Sequence, residues 1–160
     1  MSVAKIKQNV LKVKHEMRRD VRTQFGAICY RIKNEKLQIL LVTSRGTGRW
    51  IIPKGWPMHK MTPAQAAAQE ALEEAGVEGK TGTECLGIYS YVKDYDHADD
   101  LPCVVALFPL KVKRILQDYP EKSERRRKWF SQQKAAQMVS EPELREIIKS
   151  FVPPKKPKAG

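Results

Sequence analysis

Three glutamates near the middle of the chain have a spacing that suits metal chemistry. Glu70, Glu73 and Glu74 stand at i, i+3 and i+4, so a helix brings their carboxylates onto one face. Three anions near the C-terminal end of a helix oppose the helix dipole, and a bound cation offsets this cost. Carboxylate oxygens suit Mg²⁺ and Mn²⁺ far better than Zn²⁺. The spacing therefore predicts a site for Mg²⁺ or Mn²⁺.

The helix that carries these glutamates has clear limits in the sequence. Residues 62–65, Thr-Pro-Ala-Gln, have the form of a capping box with proline at the first helical position. We expect the helix to run to Ala75 and to end at Gly76 in the left-handed conformation. Its many alanines permit close packing against a sheet. The sequence thus predicts a helix held tightly beside strands, with its glutamate face lining a cleft.

Strand-like segments surround this helix on both sides. Those before it are Gln24–Lys33, Leu37–Ser44 and Trp50–Ile52, and those after it are Glu84–Lys93, Pro102–Lys113 and Arg125–Phe130. Two short helices follow, at Gln132–Val139 and Glu141–Phe151. The pattern predicts one α+β domain with a central helix flanked by antiparallel strands. We place the domain at residues 21–152, between a basic N-terminal arm or helix at 1–20 and a disordered basic tail at 153–160.

Much of the positive charge lies at the two ends of the chain. The net charge is +12, to which residues 1–22 contribute +5 and residues 154–160 contribute +3. A basic balance favours polyanionic partners such as nucleotides, inositol phosphates, nucleic acid or anionic lipid, and charge alone does not choose among them. An alternative is a nucleic-acid binder whose main contacts come from the two basic ends. Its affinity for nucleic acid should fall steeply with salt concentration.

The cysteines and the hydropathy pattern bear on the compartment. Cys29, Cys85 and Cys103 lie far apart and form no C-x-x-C pair. An odd count and no secretory signal predict a reducing compartment, and we expect a cytoplasmic protein. No apolar run approaches the length of a membrane span. The sequence leaves the oligomeric state open.

Residues 55–77 resemble the signature of the Nudix hydrolase family. That pattern is glycine, five residues, glutamate, seven residues, Arg-Glu, an aliphatic residue, any residue, Glu-Glu, any residue, glycine and an aliphatic residue. The chain matches it at Gly55, Glu70, Glu73, Glu74, Gly76 and Val77. The resemblance implies a Nudix α/β/α sandwich with a mixed sheet and a central catalytic loop-helix. It also implies metal-dependent hydrolysis of a phosphoanhydride bond, in a dinucleoside polyphosphate, a diphosphoinositol polyphosphate or a nucleoside diphosphate derivative.

The resemblance also assigns roles to the matching residues. Glu70 and Glu74 are expected to be the principal ligands of Mg²⁺ or Mn²⁺, joined by the backbone carbonyl of Gly55, with Glu73 as an accessory ligand. One carboxylate is expected to help activate the attacking water. Glu70 and Glu74 are equal candidates for this base. Some family members take it from a later loop, but the acidic loop 94–100 is more simply read as a solvated hairpin tip.

Two positions depart from the family pattern. Met61 replaces the first glutamate, and we expect it to pack near Ala66 at the start of the helix. Gln69 replaces the arginine that pairs with the box carboxylates and orients them, and a glutamine can only hydrogen-bond. These departures leave a second interpretation open, in which the chain is a catalytically impaired Nudix-fold module that binds a nucleotide or RNA.

The C-terminal part resembles the branch that cleaves diphosphoinositol polyphosphates and dinucleoside polyphosphates. Its members carry a basic run before Trp-Phe, and here residues 125–128 precede Trp129 and Phe130. Because side chains alternate along a strand, only half of this run faces the cleft. The expected substrate contacts are Arg45, Arg49, Lys54, Arg125 and Arg127.

Overall fold

The computed structural model describes residues 22–93 and 101–155, in which one eight-stranded sheet is covered by helices on both faces. The strands are β1 (Thr23–Lys33), β2 (Lys36–Thr43), β3 (Trp50–Ile51), β4 (Lys54–Gly55), β5 (Val77–Thr81), β6 (Gly87–Lys93), β7 (Leu101–Ile115) and β8 (Arg127–Ser131). The helices are α1 (Pro63–Ala75), α2 (Gln132–Met138) and α3 (Pro142–Ser150). This α+β sandwich with a mixed sheet confirms the predicted fold class.

Alternating side chains of the central strands form two cores, one on each face of the sheet. Ile28 and Tyr30 of β1 pack on the side of α2 and α3, whereas Ala27 and Cys29 pack on the side of α1. The face of α1 that meets the sheet is made largely of buried alanines, namely Ala64, Ala66, Ala67, Ala71 and Ala75. These small side chains let α1 lie close to the sheet, which brings its glutamates within reach of β4.

Helix α1 has the limits that its sequence predicts. The Thr62 side chain accepts a hydrogen bond from the Gln65 backbone N–H at 3.1 Å, and the Gln65 side chain accepts one from the Thr62 N–H at 2.9 Å. Gly76 ends the helix with φ 64° and ψ 39°, and its N–H donates to the Leu72 carbonyl at 3.0 Å. The predicted capping box and left-handed glycine are therefore both confirmed.

The sheet differs from the predicted arrangement in two respects. The prediction has α1 flanked by antiparallel strands, but β1 and β7 are parallel, with Phe25 opposite Ala106. Residues 54–61, to which the prediction assigns neither helix nor strand, contain β4, in which Gly55 pairs with Phe25, and β5 has no counterpart in the prediction. A two-residue strand is too short to show periodicity, and β5 contains glycine and charged residues that disfavour strands. The remaining strands and helices lie within three residues of their predicted bounds.

Three predicted segments lie wholly or partly outside the described residues. They are the N-terminal arm at 1–20, the acidic loop at 94–100 and most of the tail at 153–160. Residues 153–155 are described and belong to no helix or strand. In the described part of the chain, no helix is long and apolar enough to cross a membrane.

Candidate active site

The C-terminal half of α1 brings the box carboxylates to the edge of β4. Glu70 lies so close to Gly55 that a side-chain carbon at position 55 would overlap its carboxylate. Gly55 is not among the glycines with positive φ, so the close approach of Glu70, and not the backbone conformation, requires glycine here. Glu74 is deeply buried, with its side chain 7% exposed. Two parts of the family pattern, separated in sequence, thus meet in space.

The clustered carboxylates disfavour one another's ionisation. The pKa of Glu70 is raised to about 8 by burial and then by three neighbouring carboxylates, those of Glu74, Glu73 and Glu121. Burial also raises the pKa of Glu74 to about 7, although the charges of Arg125 and Lys54 act in the opposite direction. Without a bound cation, a cluster of this kind therefore retains protons at neutral pH.

The two positions that depart from the family pattern have partners within the protein. Gln69 forms a side-chain hydrogen bond with Glu73, which lowers the pKa of Glu73 against the larger raising effects of burial and Glu121. Met61 is half-buried and packs against the core cluster that contains Ala66, as predicted. Unlike the arginine of the family pattern, Gln69 brings no positive charge to the carboxylates.

Glu74 receives a donor on each of its carboxylate oxygens. Arg125 Nη2 lies 3.2 Å from Oε1, and the backbone N–H of Lys54 donates to Oε2 at 3.2 Å. The Arg125 side chain is also 7% exposed, and its Nε donates to Glu121 Oε1 at 3.0 Å. The segment between β7 and β8 thus brings a buried guanidinium to the box carboxylates.

Arg127 binds the C-terminal end of α1. Its Nη1 donates to the carbonyls of Ala75 at 2.9 Å and Gly76 at 3.3 Å, and its Nη2 donates to the Leu116 carbonyl at 2.9 Å. The guanidinium also lies 4.7 Å from the centroid of the Tyr119 ring. A cation at this end of a helix stabilises both the helix dipole and the nearby carboxylates.

These contacts change the interpretation of two predicted substrate contacts. Arg125, just before β8, and Arg127, its first residue, both point towards α1, where their guanidinium groups bind carboxylates and carbonyls of the protein itself. From the sequence alone, we expect a bound cation to balance the charge of the box carboxylates. The two arginines supply part of that positive charge. We therefore assign both arginines to the support of the site and retain the others as candidate substrate contacts.

Replacing Arg127 with alanine is expected to lower the free energy of unfolding by about 2–3 kcal/mol, because the last carbonyls of α1 lose their donors. Urea denaturation measures this change. Lys128→Ala removes the same charge from an exposed neighbour on β8 and is expected to change the free energy by less than about 0.5 kcal/mol. Equal losses in the two variants would show that Arg127 acts only through net charge.

The other predicted substrate residues lie between the end of β2 and β4. Arg45 is 61% exposed, and its Nε lies 3.9 Å from Glu121 Oε1. Arg49 is exposed in the same loop, and the half-buried Lys54 places its Nζ 4.8 Å from the centroid of the Tyr91 ring. An exposed ion pair such as that between Arg45 and Glu121 contributes little to stability. Arg45 can therefore leave the Glu121 carboxylate and bind a substrate phosphate instead.

The donor chemistry of the site suits a hard divalent cation. Within residues 22–93 and 101–155, no three carboxylate, imidazole or thiolate side chains form a ready-made metal site. Glu74 nevertheless lies near enough to raise the pKa of Glu70, and the described residues donate no hydrogen bond to the Glu70 carboxylate. A partly buried carboxylate without a donor, beside other anions, has a charge that a cation would balance. Glu70, Glu74 and the Gly55 backbone therefore fit Mg²⁺ or Mn²⁺.

Two residues near the carboxylates were missed by reasoning from the sequence. Glu121 stands four residues before Arg125, a spacing that signals their ion pair, but nothing in it signals that the Glu121 N–H donates to the Glu73 carbonyl at 3.0 Å. Tyr119 packs against Gly76, where an added side chain would overlap its ring. Both residues belong to an irregular segment, which has no periodicity from which such proximity can be inferred.

The chain is similar to known proteins over most of its length. A family model for the NUDIX domain matches residues 22–151. The chain is 30% identical over 120 residues to Nudix hydrolase 12, mitochondrial, of Arabidopsis thaliana, an alignment that covers 73% of this chain and 59% of that protein. It is 32% identical over 116 residues to diphosphoinositol polyphosphate phosphohydrolase 3-alpha of Mus musculus, covering 71% and 66% respectively. The chain thus spans about three fifths to two thirds of the length of these relatives.

Solved structures share the fold at low sequence identity. A C. elegans Ap4A hydrolase, solved as a binary complex, matches with a TM-score of 0.59 and 21% identity, covering 79% of this chain and 92% of that chain. An identity this low supports the fold alone. The family match extends over most of the chain, and the residues of its signature gather at one end of α1. The chain therefore belongs to the Nudix hydrolase family.

Proposed function

We propose that the protein is a Mg²⁺- or Mn²⁺-dependent pyrophosphohydrolase that cleaves a phosphoanhydride bond in a polyanionic diphosphate substrate. The observation that carries this proposal is the placement of Glu70 against Gly55, with the buried Glu74 beside them. Nudix hydrolases generally use divalent metal ions. One relative is named as a diphosphoinositol polyphosphate phosphohydrolase, a name that denotes a polyphosphate compound.

The residues of the site would divide the chemistry as follows. Glu70 and Glu74 would hold the cation with the Gly55 carbonyl, and Glu73 would be an accessory ligand. When bound, such a cation neutralises negative charge on the phosphate oxygens during hydrolysis. Of the two candidate bases we favour Glu70, because the described residues donate no hydrogen bond to it, whereas Glu74 receives one on each oxygen.

A polyanionic substrate is favoured by the basic side chains at the edge of the site. Arg45 and Arg49 are exposed on the loop after β2, and Lys54 stands next to Gly55 in β4. Arg45 lies close to Glu121, which places an exposed positive charge beside the acidic cluster. We propose that these three side chains bind the phosphates that flank the scissile bond, since arginine and lysine both bind phosphate well.

A panel of substrates tests this function directly. Purified protein is incubated with dinucleoside polyphosphates, diphosphoinositol polyphosphates and nucleoside diphosphate derivatives, each with Mg²⁺, with Mn²⁺ or with a chelator. We expect release of phosphate-containing products from at least one class, and only when the metal is present. Lack of hydrolysis throughout this panel would contradict the proposal.

A binding module is the second candidate, because the box has Gln69 in place of arginine and Met61 in place of glutamate. The Glu74→Gln variant separates the two candidates. A hydrolase is expected to lose turnover and metal binding in this variant, whereas a module that only binds a nucleotide or RNA is expected to keep its ligand affinity. Equilibrium binding and turnover measured on the same preparation decide between them.

We place this activity in the cytoplasm or another reducing compartment. Cys29, Cys85 and Cys103 are all free thiols, and two of them are buried. In such compartments, cysteine side chains ordinarily remain as reduced thiols. One relative is named as mitochondrial, so fractionation of cells that express the full-length protein is the measurement that assigns the compartment.

A further inference from the structure

Arg125 is a buried charged side chain whose guanidinium is held at three points. Its Nη2 contacts Glu74 Oε1 at 3.2 Å, its Nε contacts Glu121 Oε1 at 3.0 Å, and its Nη1 donates to the Thr43 carbonyl at 3.0 Å. Only 7% of the side chain is exposed. A planar guanidinium with donors engaged in three directions has a single orientation, so it presents a fixed hydrogen-bond donor to Glu74.

The carboxylate of Glu74 is fixed in turn by two donors. Arg125 binds one oxygen, and the backbone N–H of Lys54 binds the other at 3.2 Å. One donor on each oxygen sets the plane of the carboxylate. Because a carboxylate has about four acceptor positions, the remaining lone pairs are still able to bind a cation.

The main chain on either side of Arg125 is anchored without any substrate. The Arg126 N–H donates to Thr43 Oγ1 at 2.9 Å, and the Thr43 N–H donates to the Arg126 carbonyl at 3.0 Å. On the other side, the Glu121 N–H donates to the Glu73 carbonyl at 3.0 Å. Arg125 is thus tied both to β2 and to α1, and its contact with Glu74 is part of the folded protein.

We propose that Arg125 is a positioning residue, which holds Glu74 in the orientation that binds the divalent cation. It supplies from outside the box the guanidinium that Gln69 lacks, while Gln69 itself bonds to Glu73. This inference rests on the proposed function, because it concerns the same metal site. It also accounts for an arginine that is too buried to meet a substrate phosphate directly.

Mn²⁺ affinity of the full chain tests the role of Arg125, measured from the electron paramagnetic resonance signal of free Mn²⁺. Arg125→Gln is expected to weaken Mn²⁺ binding about 10- to 100-fold, the usual effect of removing a partner of a metal ligand. Arg125→Lys keeps the positive charge but lacks the planar set of N–H donors of the guanidinium. We expect it to bind Mn²⁺ more tightly than Arg125→Gln but less tightly than the wild type. Lys122→Gln, an exposed charge in the same segment, is the control and should bind as the wild type does.

The kinetic constants give a second readout. A positioning residue lowers kcat more than it changes KM, whereas a residue that binds substrate mainly raises KM. We expect Arg125→Gln to lower kcat at saturating Mn²⁺ with less than about a threefold change in KM. A large rise in KM with unchanged kcat would overturn the inference.

A double-mutant cycle shows whether Arg125 acts through Glu74. Because Glu74→Gln is itself expected to lose metal binding, the cycle is measured by urea denaturation, which reports the coupling of Arg125 to Glu74 in the folded protein. The double variant should be less destabilised than the two single variants taken together, since neither buried charge is left unpaired. If Arg125→Gln does not fold, Arg125→Lys and the double variant still give these comparisons.

Several outcomes would overturn the inference. Unchanged Mn²⁺ affinity in Arg125→Gln would show that Arg125 supports only the fold, and tighter binding would show that it competes with the cation. Additive losses of stability in the double variant would show that Arg125 acts through a group other than Glu74. If the wild type itself binds no Mn²⁺, the proposed function fails and this inference fails with it, a result distinct from a failure confined to Arg125.

Discussion

Glu70→Gln is expected to lose about 10³-fold in hydrolysis, while the metal-free protein becomes more stable at pH 8. The loss follows because Glu70 is a proposed ligand of a cation that supplies several kcal/mol of stabilisation, and about 1.4 kcal/mol corresponds to a tenfold change in rate. The gain in stability follows because the folded protein buries the Glu70 carboxylate and places it among other carboxylates, and both effects raise its pKa. A single substitution thus removes both the activity and a source of repulsion.

The gain in stability has a defined dependence on pH. Folding raises the pKa of Glu70 from 4.5 to about 8, and that of Glu74 from 4.5 to about 7. A carboxyl group whose pKa is higher in the folded than in the unfolded protein makes its full contribution to stability at pH values below its unfolded pKa. This contribution is lost as the pH rises through its folded pKa. The metal-free wild type should therefore lose stability between about pH 4.5 and 8. Glu70→Gln should remove much of this slope, with a gain on the order of 2 kcal/mol at pH 8 and almost none at pH 5.

Urea denaturation in the presence of a chelator at pH 5, 6.5 and 8 measures this slope, and hydrolysis is assayed separately with Mn²⁺. Glu146→Gln is the matched control, because Glu146 is exposed on α3 and pairs only loosely with Lys149 at 3.5 Å. It should change neither hydrolysis nor the slope. A Glu70→Gln protein with the slope of the wild type would show that Glu70 does not titrate in the folded state as described.

Gly55→Ala is expected to reduce hydrolysis by about 10²-fold with little change in fold. The added carbon would overlap the Glu70 carboxylate, so either the glutamate or β4 must move. Displacement of a catalytic group by about 1 Å is enough to cost about 10²-fold in rate. Because the carboxylate can swing away from the sheet, we expect the free energy of unfolding to fall by less than about 2 kcal/mol. Hydrolysis and urea denaturation of the purified variant measure both quantities.

A second variant shows whether the collision with Glu70 is the cause. In the Glu70→Ala background the space beside Gly55 is open, so adding Gly55→Ala should produce no further change in stability or Mn²⁺ affinity. Persistence of the Gly55→Ala effect in that background would place its cause in β4 itself. Full activity of Gly55→Ala alone would contradict the close approach of Glu70.

The parts of the site that could be predicted from the sequence are those with local signals. The capping box at Thr62, the left-handed Gly76 and the common face of the glutamates all follow from spacings of a few residues. Contact between Gly55 and Glu70 was accessible only through the resemblance to the family, because the chain between them is a loop and most of a helix. The parallel pairing of β1 with β7 has no local signal at all, since it depends on where the intervening chain returns.

The roles of the basic run show the same limit more sharply. Arg125 precedes β8 and Arg127 begins it, so strand alternation could not tell a cleft from the buried end of α1. That distinction depends on the segment from Leu116 to Arg126, which folds back over the helix end and brings Glu121 to Glu73. The spacing of residues along the sequence does not predict the long-range contacts of an irregular segment.

Glu74 and Arg125 stand 51 positions apart, and this separation has a consequence for how the chain can be divided. A fragment that ends after β7 contains every residue of the family signature, yet it lacks the arginine beside Glu74 and the arginine at the end of α1. The signature in this protein is therefore not an autonomous unit. Truncations, chimeras and transplanted boxes should carry residues 116–131 along with it, because the second half of the chain completes the first.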